Sequence, residues 1–359
     1  MSVSYRLIGA DDLDLPLIEA WRSIQSANSV FESPYFCPEF TQIVSRVRDD
    51  VRVVVIEKAG HPVGFFPYQR DYWGSGRPVG GPLSDYHGVI SSPEGEWELD
   101  ALVRAAKLSV WSFDHLVGNA QKFGMHVNAR AASPQIDLGN GYEQYVQGRR
   151  EAGSDYISKT EGLARKLGRE FGELRFTLHD PANAVMERLI GWKRDQYRKA
   201  QITDVFGVSW TGKLLRNIVS AQGTSFAGVC SVLRAGDRVI SAHMGMRSRN
   251  TFHYWFPAYD PEFGRFSPGI ILLLRLAQAL AGTGVRVIDL GKGDASYKQR
   301  LMTGAAELWE GCVELPSFRT NLQRLRRKAE LYAARGGLAG LLRLPLRAIR
   351  RIERTRRFR

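Results

Sequence analysis

Apolar and polar residues alternate around a Lys-Ala-Gly turn over residues 54–64, which predicts a strand, a turn and a second strand. The same pattern returns 176 residues later, over 230–240, with Ala235-Gly236 standing where Ala59-Gly60 stood. Helical periodicity precedes each hairpin, at 38–46 and at 210–221. Each hairpin is followed by another helical stretch (97–107, 268–281) and then by a short strand ending in aspartate (111–114, 285–289). Phe113-Asp114 and Ile288-Asp289 lie 175 residues apart, so two matches in one order share nearly one offset. An internal duplication is expected.

Each repeat reads helix, helix, antiparallel meander, helix, strand, helix. That is an α+β arrangement of mixed, mostly antiparallel sheets with flanking helices, not a doubly wound parallel sheet. The expected halves are 1–140 and 173–318, linked over 141–172 by a helical pattern that runs from Tyr142 to Arg169. Residues 174–178 and 185–199 open the second half as a strand and a helix. Beyond lies a tail, 319–359, in which Leu338, Leu341, Leu342, Leu346, Ile349 and Ile352 recur at helical spacing among arginines.

The net charge of +13 resides almost wholly in that tail, where 14 Lys or Arg against two Glu give +12 and leave the body at +1. A basic amphipathic tail with few aromatic residues suits an anionic membrane surface better than nucleic acid. The first 20 residues carry acidic side chains where a signal peptide needs basic ones, and the apolar stretch 269–280 is interrupted by Arg275 and Gln278. A cytoplasmic protein, peripheral on the inner face of the membrane, is expected. Cys37, Cys230 and Cys312 form no CxxC pair and the seven histidines show no metal-ligand spacing, so no metal is expected.

In the second half the hairpin is followed by Phe252-His253-Tyr254-Trp255, then Ser267-Pro268-Gly269, then Ile288-Asp289-Leu290-Gly291-Lys292-Gly293-Asp294-Ala295-Ser296-Tyr297-Lys298. The first half holds Gly80-Gly81-Pro82-Leu83-Ser84-Asp85-Tyr86-His87-Gly88 and Trp111-Ser112-Phe113-Asp114-His115-Leu116. Over roughly 30–315 the chain resembles the CelD-type, cellulose-biosynthesis-associated GNAT acyltransferases, which are related to the FemAB aminoacyl transferases. The resemblance implies tandem GNAT folds, an acyl-CoA donor such as acetyl-CoA, and an amine acceptor, often in envelope polysaccharide assembly.

Acyl transfer to an amine requires a hold on pyrophosphate, a proton acceptor for the ammonium and a proton donor for the leaving thiolate. Arg265, Ser267 and Gly269 precede or open the apolar helix, where backbone amides hold phosphate, although Pro268 removes one amide from the family's loop. Tyr297 stands where the resemblance places a tyrosine near the CoA sulfur, and Lys298 beside it would pair with a phosphate. Asp294 and His243 are candidate bases; the plainer alternatives are a helix cap for Asp294 and a structural strand histidine for His243. Asp85, Tyr86, His87 and Asp114 are candidate acceptor contacts, while Trp255 and Phe256 read as core.

The expected activity is an acetyl-CoA-dependent N-acyltransferase acting on an amino group of a sugar or glycan intermediate. The active site would lie in the second half. The first half, whose corresponding loop Ser92-Pro93-Glu94-Gly95-Glu96 is acidic, would be a non-catalytic acceptor platform. A FemAB-like transferase using aminoacyl-tRNA, and a catalytically degenerate pair serving as a membrane-surface assembly factor, are the alternatives.

Overall fold

The computed structural model describes residues 3–92, 95–118 and 120–316. The tail expected at 319–359, and Pro93 and Glu94 of the acidic loop, lie outside the described residues. The chain forms two compact units, each drawn from separate stretches of sequence. The first takes residues up to 28, 44–130 and those from 309 on; the second takes 29–43 and 131–308.

The first unit contains β1 (Val3–Gly9), α1 (Leu15–Ser26), the end of α2 (Pro38–Ser45), β2 (Val51–Lys58), β3 (His61–Arg70) and β4 (Ser75–Arg77). It continues with β5 (Ile90–Ser91), α3 (Leu99–Ala105), β6 (Val110–Leu116) and α4 (Ala120–Phe123). Strand β7 (Val127–Asp137) then crosses into the second unit, which adds α5 (Tyr142–Glu151), α6 (Tyr156–Phe171), β8 (Leu174–Thr177) and α7 (Asn183–Lys199). Next come α8 (Ser209–Ser220), β9 (Ala227–Ala235), β10 (Arg238–Arg247), β11 (Thr251–Tyr259), α9 (Pro268–Leu280), β12 (Val287–Asp289), α10 (Ser296–Leu301) and β13 (Gly304–Glu314).

Both units build one pairing pattern. In the first the order is β1-β2-β3-β4-β6-β13, all neighbours antiparallel except β4 and β6. In the second it is β8-β9-β10-β11-β12-β7, all antiparallel except β11 and β12. The closing strand of each sheet follows the last helix of the other unit. From Ala131 on, β7 serves the second unit, with Ile136 opposite Ile288; from Trp309 on, β13 serves the first, with Cys312 opposite Ser112.

The expected hairpins are present, with turns one residue out of step. Ala59 and Gly60, both at positive φ, form the first two-residue loop, whereas Gly236 and Asp237 form the second and only Gly236 has positive φ. The pattern expected as one helical run to Arg169 is two helices. The Gly153 amide donates to the Arg150 carbonyl (2.9 Å) and that of Ser154 to Arg149 (3.0 Å), closing α5 before α6 begins. Tyr145, Ile157, Ala164 and Leu167 from these helices join the core beneath α9, which buries Ile271 to Leu274, Leu276, Ala277 and Leu280. A helix apolar on nearly every side is stable only when covered in this way. No helix among the described residues is long and apolar enough to cross a membrane.

Strand β11 carries one extra residue: between the pairs Met244–Phe256 and Met246–His253, Tyr254 and Trp255 together face Gly245. A Cβ on Gly245 would lie 2.4 Å from the His253 carbonyl oxygen and 2.7 Å from His243 Cε1, so the bulge requires glycine opposite it. Gly245→Ala should cost about 1–3 kcal/mol of stability through overpacking. Gly191→Ala, in open space on α7, should be neutral or stabilising by up to about 1 kcal/mol. Urea denaturation of the two variants beside the parent checks both.

Candidate active site

Strands β11 and β12 run parallel for only three residues, Thr251 to His253 against Val287 to Asp289. Beyond His253, β11 continues to Tyr259 with β10 on one edge and no described strand on the other. The sheet therefore opens into a V at its middle. In the first unit the corresponding opening is filled. Strand β4 stops at Arg77, and the His87 amide donates to the His115 carbonyl (3.2 Å) while the Val117 amide donates to the His87 carbonyl (3.0 Å). A backbone edge left open in this way is a recognition surface for extended ligands; the edge of β6 is already occupied.

At the apex of the V stands Asp289, almost wholly buried. Its carboxylate accepts from Ser133 Oγ (2.6 Å), Gln135 Nε2 (3.1 Å) and the Gly291 amide (2.8 Å), and His253 Nδ1 lies 3.5 Å away. Three donors on one carboxylate favour its charged form despite burial. Neither Asp289 nor His253 stood among the sequence candidates. The register of the aspartate-terminated strand against β11 was the missing signal.

The helix after β11 begins where expected, but its first turn differs. Ser267 is the N-cap in left-handed conformation, and its hydroxyl caps nothing. The amides of Ile270 and Ile271 both turn back to the Ser267 carbonyl (2.9 and 3.2 Å), and Pro268 has none. Gly269 thus holds the one amide of this turn not drawn into it. Arg265 is exposed and paired with Glu170 (2.6 Å), lying over the Phe266 ring.

On α10, Tyr297 is half-buried. Burial, then the neighbouring Tyr156, pushes its phenol up to about 12, so it stays protonated at neutral pH. Tyr254 stands close enough to feel it; burial, then Tyr297, holds Tyr254 far above the usual phenol value. Lys298 corrects the phosphate expectation. Its ammonium is turned inward and donates to the carbonyls of Gly291 (2.8 Å) and Lys292 (3.0 Å), bracing the Gly-Lys-Gly turn. Asp294 does not cap α10, whose N-cap is Ala295, and its side chain is exposed.

His243 is fully buried, stacked on Tyr254 with ring centroids 4.0 Å apart, and its Nδ1 lies 3.2 Å from Ser231 Oγ. Burial, then His253 and Lys193, holds it neutral far below the usual histidine value. A ring so enclosed cannot meet an acceptor without opening the core. The structural alternative describes it.

In the first unit Asp85, His87 and Asp114 are brought together, with His115 among them. His115 Nδ1 lies 3.0 Å from Asp114 Oδ1 and its Nε2 lies 3.9 Å from Asp85 Oδ1. Buried His87 accepts at Nε2 from the amides of Asp114 (3.1 Å) and His115 (3.2 Å), which places its proton on Nδ1. Burial alone would raise the Asp114 carboxyl, but hydrogen bonding outweighs it and holds the group well below the usual carboxylate range. His115, and after it His87, are the partners that do this. Tyr86 is buried beside them, its carbonyl accepting from Ser84 Oγ (2.9 Å). A surface cleft of the second unit, about 290 Å³ and lined by residues that include Asp137, Gln144, Arg149 and Thr303, contains none of the sequence candidates.

The family model of the acetyltransferase (GNAT) domain matches residues 158–299, the stretch that carries the V, α9 and α10. The structure of FemX superposes with a TM-score of 0.58 at 9% identity, over 89% of this chain and 99% of that one. The C-terminal domain of an Agrobacterium fabrum protein described as a lysylphosphatidylglycerol synthetase gives 0.51 at 11% identity, over 86% and 94%. A tandem GNAT protein from the clavulanic acid biosynthesis pathway gives 0.48 at 9%, over 88% and 100%. No curated protein sequence matches. The chain has the GNAT fold in tandem-like form, with an acetyltransferase-class domain in its second half.

Two outcomes test the electrostatics. Asp289→Ala leaves three donors without their acceptor, at about 1–3 kcal/mol each, so a loss of at least about 3 kcal/mol is expected in urea denaturation, with Asp289→Asn milder. His87 and His243 are both held neutral in the fold by burial and take up protons on unfolding. Their folded values lie below the unfolded one of about 6.5, so stability should fall as pH drops from about 7 to 5. His243→Gln should flatten that slope; an unchanged slope would mean the ring is charged in the native state.

Proposed function

We propose that this protein is an acyl-CoA-dependent N-acyltransferase, with acetyl-CoA as the first donor to test. Its acceptor would be the amino group of a sugar or glycan intermediate in envelope or exopolysaccharide assembly. The observation that carries this is the V between β11 and β12, with the α9 N-terminus following one arm and Tyr297 following the other. The CelD-type resemblance of the Ile288 to Lys298 stretch supports the polysaccharide setting, and the tail at 319–359 would hold the enzyme at an anionic inner membrane surface.

An acyl-CoA donor supplies the thioester carbonyl that the amine attacks. The residues around the V fit such a group in part: the unpaired edge of β11 offers backbone partners to an extended chain, and the Gly269 amide remains for a phosphate oxygen. Tyr297, protonated at working pH, has a proton to deliver to a leaving thiolate. The Lys298 ammonium fixes the turn that precedes α10 and so sets where Tyr297 stands.

The thin first turn of α9 favours a second reading. With Pro268 in place and two amides drawn to Ser267, the phosphate cradle is sparse, which suits a FemAB-like transferase taking its acyl group from aminoacyl-tRNA. Activity that depends on RNA, disappears after RNase treatment and needs no CoA would establish it.

Calorimetric titration of the full chain with acetyl-CoA tests the first reading. Micromolar binding is expected, lost in Gly269→Asp because the added carboxylate repels phosphate beside its amide. Tyr297→Phe should bind normally but turn over about 10²–10⁴-fold more slowly. A folded protein that binds no acyl-CoA would overturn the proposal.

A further inference from the structure

Helix α7 turns Val185, Met186 and Leu189 inward. Three- and four-residue spacing continues that stripe through Lys193 and Tyr197, so a lysine occupies a position where an amphipathic helix packed on a sheet places an apolar side chain. The Lys193 ammonium lies 5.2 Å from the centroid of the Tyr197 ring. Tyr197 stacks on Phe206 (5.8 Å, 14°), Phe206 meets Phe256 at 64° (5.2 Å), and Phe256 stacks on Trp255 (4.5 Å, 29°). Trp255 and Phe256 lie on β11 beyond the point where β12 leaves it. One aromatic chain thus runs from the lysine to the open arm of the V. Lys193, Tyr197, Phe206 and Trp255 are all partly exposed.

No carboxylate pairs with Lys193 among the described residues, and the two acids that follow it in sequence are engaged elsewhere. Asp195 pairs with Arg198 (3.1 Å) and Asp204 with Arg194 (2.8 Å). Burial alone brings the ammonium down to about 8. A half-buried cation without a counter-ion is destabilising, and an apolar residue at this position would relieve the cost. Cation–π attraction to Tyr197 offsets only a part of it. The missing element is an anion.

We propose that Lys193 anchors an anionic group, phosphate or carboxylate, on the acceptor, with the adjoining ring of that acceptor lying on the Tyr197–Phe206 stack. The acceptor class is then an amine that also bears an anion, beside the arm of the V where acyl transfer would occur. This deepens the acyltransferase proposal and rests on it for the word acceptor; the anion site itself rests on α7, Phe206 and β11 alone.

The test uses the full chain with three probes: uridine diphosphate for a phosphate source, glutamate for a carboxylate source, and acetyl-CoA. Lysine labelling by an amine-reactive reagent at pH 8, read by mass spectrometry, should be slowed at Lys193 by one of the first two and not at exposed Lys213. Protection by uridine diphosphate assigns a phosphate, and protection by glutamate a carboxylate. Quenching of tryptophan fluorescence by the protecting probe should be lost in Lys193→Met and kept in Lys193→Arg. Calorimetric binding of acetyl-CoA should be unchanged in both variants. Protection by neither anion, or undiminished probe binding in Lys193→Met, overturns the site. Protection of Lys193 by acetyl-CoA alone also overturns it, since the position would then belong to the donor. Anion protection in a protein that binds no acetyl-CoA supports the site and sinks the acyltransferase reading alone.

Discussion

The Asp289 carboxylate holds the second unit's site together. It is buried at the last residue pair before β11 and β12 part, and it accepts from Ser133 and Gln135 of β7 and from the Gly291 amide of the turn after β12, with His253 of β11 3.5 Å away. Removing a carboxylate from water is costly, so each donor is needed and each donor's position is fixed in return. Ser133 and Gln135 thereby set the β7 register against β12, and the Gly291 amide starts the turn that Lys298 then braces through two carbonyls. Tyr297 stands next to Lys298, so its position follows from hydrogen bonds to a carboxylate eight residues earlier in the chain.

The two units show what one strand pattern becomes when a single segment changes. Both have a parallel pair in the middle of an otherwise antiparallel sheet. In the second unit the longer partner runs on past the pair, helped by a bulge that only glycine can face, and a backbone edge stays open. In the first unit the partner ends after three residues and the loop through His87 takes up the edge instead. The duplication therefore yields one opening able to take an extended ligand and one closed by the protein's own backbone. The polar cluster of Asp85, His87, Asp114 and His115 belongs to that closure, which explains why His87 spends Nε2 on two amides.

Much of this was legible in the sequence, and the illegible parts have a common cause. Local periodicity gave the hairpins, α2, α8, α9 and the strands that carry Asp114 and Asp289, although β6 runs on past Asp114 to Leu116, because alternation and helical spacing are set by neighbours in the chain. Long-range pairing leaves no such mark: nothing in residues 127–137 or 304–314 says which sheet they complete. The same limit applied to the site. Tyr297 and the α9 start could be named as candidates because they follow recognisable elements, whereas the inward turn of Lys298 left no mark because a lysine's carbonyl partners depend on how a glycine turn folds back. His243, a base candidate, and His253 occupy similar strand positions in the sequence, and only the bulge and the β12 register separate a stacked core ring from one beside a buried carboxylate.

Burial treats the ionisable groups of the second unit in two ways, and the contrast sets Lys193 apart from the rest. Asp289 is buried and fully served by donors, and His243 is buried and neutral, so each is at rest as the protein stands. Tyr297 is held protonated and has a proton to give. Lys193 alone combines partial burial, a depressed value near neutrality and no anionic partner among the described residues. An uncompensated charge persists in a fold only where something outside the chain completes it or where solvent does, and the aromatic surface beside this lysine leaves less room for solvent than an open helix face would. The direction from Lys193 through Tyr197, Phe206 and Phe256 to Trp255 is also the direction from α7 to the open arm of the sheet, so charge and opening belong to one surface.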